Sequence, residues 1–529
     1  MATTTLEIHP AIGIARMGSS DEFFLGPEPG LPIETTRRDA TASQLLKRQA
    51  ARFRVYSCVR DESGTLMSFE ELTPDRATIT WTVHLVNRKA AAPRFLTHGQ
   101  QPIPNTDPHV RRNDATGDDG NALDKSLIID GGVNTLTGPH QPRMLFHGQF
   151  KGNGLPRGLG EMSTDDDGRL IVVGGFGVAR SFPPTAVANF ADNDNWHDDT
   201  SDGPVEAAVH FLDGRPDQPV DKKAWVIACQ PDFAPGIRNL VTLYDAFIDV
   251  AIARQVLPMP TLRPAYDRDV LPLLDRAMGY QWVNAFARKV HGPGGRADFS
   301  GIPDLGNPNA GALKRKNIFR LLRKPGGPGT PPGSPAMPLL FSDDYFTDQT
   351  LVLPLTRPQY RILSEWAKNA FDTQASGPAP TEAEPDALTR VALEAGSGGA
   401  FCPGIEAGRK IREDIYIAGD VFRFDRTKLK PGELTESMAL PWQADFAECR
   451  WEAPDLPALP IKGRGWWPAQ RPDDVLLRPD DETMKEWARG ADTKALMVKF
   501  WDQLGVVLET TNASGAVAFI ETQRTLPPA

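Results

Sequence analysis

The sequence predicts an α+β protein with a β-rich body of antiparallel, twisted sheets, peripheral helices and long loops. Three observations predict this class. The 529 residues include 48 prolines, and proline removes a backbone donor and so divides a chain into short strands and loops. Apolar and polar residues alternate over 77–87 (ATITWTVHLVN), which is the period of a half-buried strand. Few segments carry apolar residues at helical spacing without an internal Gly or Pro.

Other elements follow from the same patterns. Short apolar runs between turn-forming residues predict strands at 170–173 and 207–212, and the Asp-, Asn- and Gly-rich segment 107–130 predicts a long surface loop. Helical spacing of apolar residues predicts helices near 239–256 and 270–290.

The end of the chain shows one more helical pattern. Apolar residues at helical spacing predict a helix over 480–504. A hairpin is predicted to follow it over 505–521.

The domain organisation follows from one spacer. Residues 324–338 (KPGGPGTPPGSPAMP) are too rich in Pro and Gly for regular structure and predict a flexible loop. This loop would divide the chain into a β-rich N-terminal part, 1–323, and a C-terminal part, 339–529.

Composition excludes several classes of protein. A net charge of −10 disfavours nucleic acid as a partner, and no apolar run is long enough for a membrane helix. The amino terminus lacks the basic and apolar regions of a secretory signal, so we expect synthesis and folding in the cytoplasm, with export by another route left open. Four scattered cysteines without a CxxC pair predict neither a disulfide scaffold nor a zinc site, and we expect no metal.

Familiar catalytic signatures are absent from the sequence. There is no GxSxG elbow, P-loop or HExxH, and residues 174–177 lack the spacing of a dinucleotide fingerprint. Residues 193–204 (NDNWHDDTSDGP) could hold a hard cation, but a loop of local hydrogen bonds is the favoured interpretation. His197 of this loop is a candidate pocket residue.

Two further segments contain a thiol. The Gly-rich segment 398–406 (GGAFCPGIE) contains Cys402, which is either a buried packing residue or part of an active-site cavity. In MALPWQADFAECRW, Asp445 and Cys449 are four positions apart, so on a helix the carboxylate would lie one turn before the thiol and could take its proton. Trp466 and Trp467 follow, as catalytic groups or as core aromatics.

Seven blocks of the sequence resemble one known family. They are HPAIGIARMG, ITWTVHLVN, NWHDDTSDGPV, PDFAPGI with TLYD, GGAFCPGIE, PWQADFAEC and WWPAQRPDD, and they run in order from residue 9 to residue 474. Together they resemble the bacterial L-lysine epsilon-oxidase and glycine oxidase family, whose cofactor is cysteine tryptophylquinone.

The resemblance implies a role for each candidate residue. Cys449 would form a thioether with an oxidised tryptophan, either Trp467, which we prefer, or Trp466. Asp445 matches the acidic residue needed for the cofactor to mature. Cys402 would be a cavity residue and the fallback partner. Asp445 and His197 are the candidate catalytic bases.

The resemblance also implies a reaction and partners. A substrate amine would condense with the quinone, lose a proton from the adjacent carbon and leave as an aldehyde or oxo acid, with ammonia and hydrogen peroxide as further products. The substrate would be a free amino acid, glycine or lysine-like. Oxygen, a flavoprotein that matures the cofactor, and a homo-oligomer are implied as well.

Two alternatives remain. The chain could be a structural or binding homologue whose Cys and Trp never join. A β-rich glycoside hydrolase would also use many Trp and Asp residues, with two carboxylates facing each other in a cleft.

Overall fold

The structure is a computed structural model. It describes residues 2–62, 64–93, 111–113, 124–260, 263–300, 302–325, 337–338, 354–375, 384–398, 407, 410–448 and 468–527.

Strands dominate the first half of the chain, as predicted. Within the described residues the strands are β1 (Thr3–His9), β2 (Ile12–Arg16), β3 (Phe23–Leu25), β4 (Arg48–Arg60), β5 (Leu66–Glu71), β6 (Ala77–Asn87), β7 (Ile129–Thr137), β8 (Met144–Leu145), β9 (Gln149–Phe150), β10 (Asn153–Gly154), β11 (Gly160–Thr164), β12 (Leu170–Gly174), β13 (Arg180–Ser181), β14 (Trp196–His197), β15 (Ser201–Phe211), β16 (Gln218–Pro219), β17 (Ala224–Cys229), β18 (Tyr416–Ile417), β19 (Asp420–Phe424), β20 (Asp474–Val475), β21 (Lys485–Glu486), β22 (Val506–Thr511) and β23 (Val517–Thr522).

The helices lie mainly in the second half. They are α1 (Leu243–Ala253), α2 (Leu271–Gly279), α3 (Ala285–His291), α4 (Ala312–Arg320), α5 (Arg357–Ala367), α6 (Glu384–Glu394), α7 (Trp442–Glu448) and α8 (Lys494–Phe500). In the part of the chain that the structure describes, no helix combines the length and the apolar character needed to cross a bilayer. The predicted α+β class with a β-rich body is confirmed.

One large sheet organises the molecule. Its order is β7-β6-β15-β17-β2-β4-β12-β11-β8, while β1, β3 and β5 also pair with β4 and β16 pairs with β15. Most pairs are antiparallel, as predicted, but β17 pairs with β2 and β3 with β4 in parallel. Strand β15 lies between β6 and β17, so the residues just before it are held at one end of the sheet.

The strand predicted over 77–87 is β6, with the same bounds. Its side chains alternate between buried and half-buried positions over the first eight residues, so the sequence alternation reflects one face packed on the core. Trp81 is fully buried there, and its Nε1 donates to the Gly168 carbonyl oxygen at 2.8 Å. The hairpin predicted over 505–521 is formed by β22 and β23.

The predicted helices are shorter in the structure. Helix α1, predicted near 239–256, begins at Leu243 because the Thr242 side chain accepts from the Asp245 amide, and the Asp245 carboxylate accepts from the Thr242 amide in return. The region near 270–290 forms α2 and α3, separated at the N-cap Asn284.

The prediction of a helix over 480–504 is wrong for its first part, residues 480–493. Helix α8 begins only after Thr493, whose side chain accepts from the Leu496 amide. Gly490 has φ +79°, a value that an α-helix does not accommodate. Apolar spacing alone did not reveal this break.

The core crosses the two halves of the sequence. One cluster of buried residues joins Met17 and Leu46 to Trp442, Phe446 and Trp487. Residues 326–336 of the predicted spacer lie outside the described residues, so the division into 1–323 and 339–529 stays a prediction. Most of the loop predicted over 107–130 lies outside them too.

Gly203 of β15 marks a close approach between strands. A Cβ atom on Gly203 would lie 1.7 Å from the His84 carbonyl oxygen of β6, and β15 is held on its other side by β17. We expect Gly203→Ala to lower the free energy of unfolding by about 1–3 kcal/mol, because the new Cβ would overlap the His84 carbonyl oxygen and the backbone of β15 must shift. Gly154→Ala is the control, since a Cβ there meets nothing within 4 Å. Urea unfolding measures both, and equal midpoints for the two variants would contradict the expectation.

Candidate functional site

Helix α7 carries the candidate Asp445 and is almost entirely buried. Asp445 itself is fully buried, and the exposed residue of the helix is its last, Glu448. The predicted helical segment before Cys449 is therefore present. Cys449, Trp466, Trp467 and Cys402 lie outside the described residues.

The N-terminus of α7 is fixed by a buried ion pair. The Trp442 amide donates to Asp198 Oδ2 at 3.0 Å. The same oxygen accepts from Lys89 Nζ at 2.5 Å, and both charged side chains are fully buried. Asn87 Nδ2 donates to the other carboxylate oxygen at 3.2 Å. Burial lowers the pKa of Lys89 from its usual value, and the Asp198 charge opposes that effect.

The C-terminal half of α7 is joined to the segment that follows Trp467. Arg471 is fully buried, and its Nε donates to the Phe446 carbonyl oxygen at 2.8 Å. Its Nη1 donates to Asp473 Oδ1 at 3.1 Å. The guanidinium also lies over the Trp487 ring, 5.4 Å from the centroid. Arg471 therefore links the residues before Cys449 to those after Trp467.

A second set of hydrogen bonds anchors the same segment on the other side. The Ala469 amide donates to Asn239 Oδ1 at 2.9 Å, and Asn239 Nδ2 donates to Gln470 Oε1 at 3.0 Å. The Phe233 amide donates to the Gln470 carbonyl oxygen at 3.0 Å. Two blocks distant in sequence, PDFAPGI and WWPAQRPDD, are thus brought together.

His197 packs against two aromatic rings. It stacks on Phe182, with 5.9 Å between ring centroids, and tilts against Phe150 at 5.0 Å. Burial lowers the pKa of His197 to about 4, so its ring is neutral at neutral pH. Its ring contacts are therefore with Phe150 and Phe182.

The loop around His197 is held by local hydrogen bonds, as favoured from the sequence. Asn193 Oδ1 accepts from the Ala188 and Asn189 amides, and Asp198 Oδ1 accepts from the Thr200 amide. These hydrogen bonds give the Asp and Asn side chains of the loop a structural role.

Asp199 is the second carboxylate of this loop. Its Oδ2 accepts from the Val178 amide at 3.2 Å, and it is nearly fully buried. Burial, and after it the charge of Asp198, raises the pKa of Asp199 to about 7. Asp199 therefore carries a proton for part of the time at neutral pH.

One group of residues has the composition of a metal site. The ligand atoms of Glu7, His9 and Cys58 lie within 4.8 Å of one another. Glu7, however, already pairs with Arg60 at 2.9 Å and with Lys222 at 3.1 Å. Because its charge is compensated, we interpret the group as a buried ion network.

Sequence reasoning missed Lys89, Asp198 and Arg471 as functional neighbours. Asp198 and Arg471 lie in blocks that carried the family resemblance, which was the available signal. Lys89 follows a strand in an ordinary basic turn, and nothing in its neighbours indicates a buried partner 109 positions away.

Known proteins match this chain over nearly its full length. A family model described as L-lysine epsilon oxidase N-terminal matches residues 9–228, and one described as L-lysine epsilon oxidase C-terminal domain matches residues 338–467. L-lysine 6-oxidase from Marinomonas mediterranea is 27% identical over 670 aligned positions, covering 98% of this chain and 89% of that protein.

Solved structures show the same likeness. The epsilon-lysine oxidase from M. mediterranea aligns with a TM-score of 0.78 at 25% identity, covering 98% of this chain and 95% of that one. The Schiff base intermediate of L-Lys epsilon-oxidase from the same organism, with L-Lys, aligns with a TM-score of 0.75 at 25% identity and the same coverage.

Proposed function

The chain belongs to the L-lysine epsilon-oxidase family and is an oxidase, and from this premise we propose that it oxidises the primary amine of a free amino acid with a cysteine tryptophylquinone made from its own residues. Cys449 supplies the sulfur and Trp467 the ring, with Trp466 as the alternative. Family membership leaves the glycoside hydrolase alternative without support.

The observation that carries the proposal is the link made by Arg471. Cys449 directly follows α7, and Trp467 directly precedes Pro468. Arg471 bonds the carbonyl of Phe446 at 2.8 Å, so the residues on both sides of 449–467 are held together in a buried environment. This arrangement fits a cross-link between the two ends of that segment.

Such a group supplies an electrophilic carbonyl for the amine and accepts the electron pair from the amine-bearing carbon. Asp445 is the carboxylate we propose to move the proton, because it is buried in the helix that ends beside Cys449. A rigid, buried helix holds such a group in place at no reorganisation cost.

His197 stays a second candidate base, with a less favourable position. Its neutral ring could accept a proton, but it packs on Phe150 and Phe182, whereas Asp445 lies on α7 itself. Cys402 is proposed as a residue of the substrate cavity. The substrate is proposed to be glycine or a lysine-like amino acid, and the solved relative from M. mediterranea was captured with L-Lys.

The proposed products are an aldehyde or oxo acid, ammonia and hydrogen peroxide, with oxygen as the electron acceptor. A flavoprotein is the proposed maturation partner, and the active form is proposed to be a homo-oligomer. Screening amino acids for peroxide release after co-expression with the flavoprotein identifies the substrate.

Intact-protein mass tests the cofactor. The matured chain is expected to gain two oxygen atoms and lose four hydrogen atoms relative to the encoded chain, because the ring is oxidised and a thioether replaces the thiol. Asp445→Asn is expected to keep the encoded mass, since the buried carboxylate needed for maturation is lost. An unshifted wild-type mass after co-expression would instead indicate the silent homologue.

The matched control is Glu448→Gln on the same helix. Glu448 is exposed and pairs with Lys494 at the surface, so its loss should leave the mass shift intact. Circular dichroism must show that both variants are folded. A full mass shift in Asp445→Asn would remove Asp445 from the proposal.

A further inference from the structure

A pocket lies beside the candidate site and is lined by residues 154–158, Val178, Arg180, Phe182, His197 and Asp199. Its cavity volume is about 70 Å³, and the pocket is partly open to solvent. Leu155, Pro156, Val178 and Phe182 give it an apolar wall. Since one water needs about 10–15 Å³ of such space, the pocket has room for a small molecule of a few heavy atoms.

Two buried polar residues also line the pocket. His197 and Asp199 are almost completely buried, and among the described residues His197 Nδ1 and Asp199 Oδ1 have no hydrogen-bond partner. Buried polar atoms in folded proteins are nearly always paired, so two orphans at one pocket point to a ligand or water that completes them.

The charge of the pocket is positive. Arg180 is exposed on the lining and forms no ion pair with another described residue. Arg157 also lines the pocket, pairs with Asp21 at 2.9 Å and lies over the Phe176 ring. His197 is neutral, and burial keeps Asp199 protonated for part of the time at neutral pH.

We propose that this pocket is a binding site for a small monocarboxylate with a short apolar body. The carboxylate accepts from the Arg180 guanidinium, from the protonated Asp199 and from Nδ1–H of His197. The apolar body contacts Leu155, Pro156 and Phe182. Three donors converge on one anionic head, while an amine head would meet the charge of Arg180.

Three probes that share a four-carbon chain and differ in their head group test whether the pocket prefers a carboxylate. Butyrate, butyramide and butylamine are titrated calorimetrically into the full chain expressed without the flavoprotein, so that binding does not depend on the proposed quinone. We expect butyrate to bind about tenfold or more tighter than butyramide, and butylamine to bind weakest. Equal affinities for butyrate and butyramide, or tighter binding of the amine, would overturn the proposal.

Variants locate the binding to this pocket. Arg180→Gln is expected to weaken butyrate about tenfold, and Leu155→Trp to block it by filling the wall. The matched control is Arg361→Gln, which removes an exposed arginine on α5. Unchanged butyrate affinity in both pocket variants would place any binding elsewhere.

A pH series tests the role of Asp199. The groups around Asp199 are Asp198, the Gly177 and Val178 amides and the pocket residues His197, Arg157 and Arg180, with Lys89 paired to Asp198. Between about pH 6 and about pH 8 butyrate stays ionised while Asp199 loses its proton, so wild-type affinity should fall with rising pH. Asp199→Asn should bind with little change over this range. If the butyrate affinity of Asp199→Asn falls as much as that of the wild type, the proposed role of the Asp199 proton is contradicted.

Discussion

Replacing Cys449 with serine is expected to abolish both the mass shift of the matured protein and the release of peroxide. The variant has no sulfur to bond the tryptophan ring, so the chain should keep its encoded mass after co-expression with the flavoprotein. Cys402→Ser is the control, because we propose Cys402 as a cavity residue, and it should mature with the full mass shift.

Thiol counting gives a second readout. After denaturation, one of the four cysteines of the matured wild type should resist alkylation. All three remaining cysteines should react in Cys449→Ser, whereas two of three should react in Cys402→Ser. Maturation of Cys449→Ser together with failure of Cys402→Ser would transfer the cross-link to Cys402.

The mass shift also shows which of the two tryptophans forms the cross-link. Trp467→Phe should block the mass shift, and Trp466→Phe should permit it. The opposite pair of results would assign the ring to Trp466.

Replacing Lys89 with methionine is expected to cause a large loss of stability. Lys89 and Asp198 are both fully buried and lie 2.5 Å apart. Methionine leaves the Asp198 carboxylate in a buried environment without its cation, and breaking such a pair costs about 3–5 kcal/mol. Urea unfolding followed by Trp fluorescence measures the change.

Two controls identify the cause of the loss. Lys368→Met removes an exposed partner of Glu365 and should cost less than about 1 kcal/mol. The double variant Lys89→Met with Asp198→Asn removes the buried charge as well, so it should be more stable than Lys89→Met alone. A double variant less stable than Lys89→Met would show that charge burial is not the cause.

Local pattern was sufficient to predict the strands that pack one face on the core. Strand β6 has the bounds that its alternation predicted, because each apolar residue on one face is buried. The α+β class followed from such strands and from the prolines between them. The helix over 480–504 was wrong because the cap at Thr493 and the positive φ of Gly490 outweighed apolar spacing.

The candidate site was predictable only through its motifs. Asp445 was predicted to lie on a helix, and α7 confirms that helix, while Cys449 lies outside the described residues. The contacts of Arg471 with α7, and of Lys89 with Asp198, join residues far apart in the chain. No periodicity in either partner encodes such contacts, because they arise when the whole core assembles.

The parallel pairing of β2 with β17 affects how the protein is made. Ile12 and its register partner Trp225 are separated by 213 positions. At the usual 5–20 residues per second, a ribosome needs about 10–40 s to synthesise that distance. During this interval β2 leaves the exit tunnel without its parallel neighbour β17, so nascent chains should depend on chaperones until β17 emerges. Slower synthesis should lengthen that exposure.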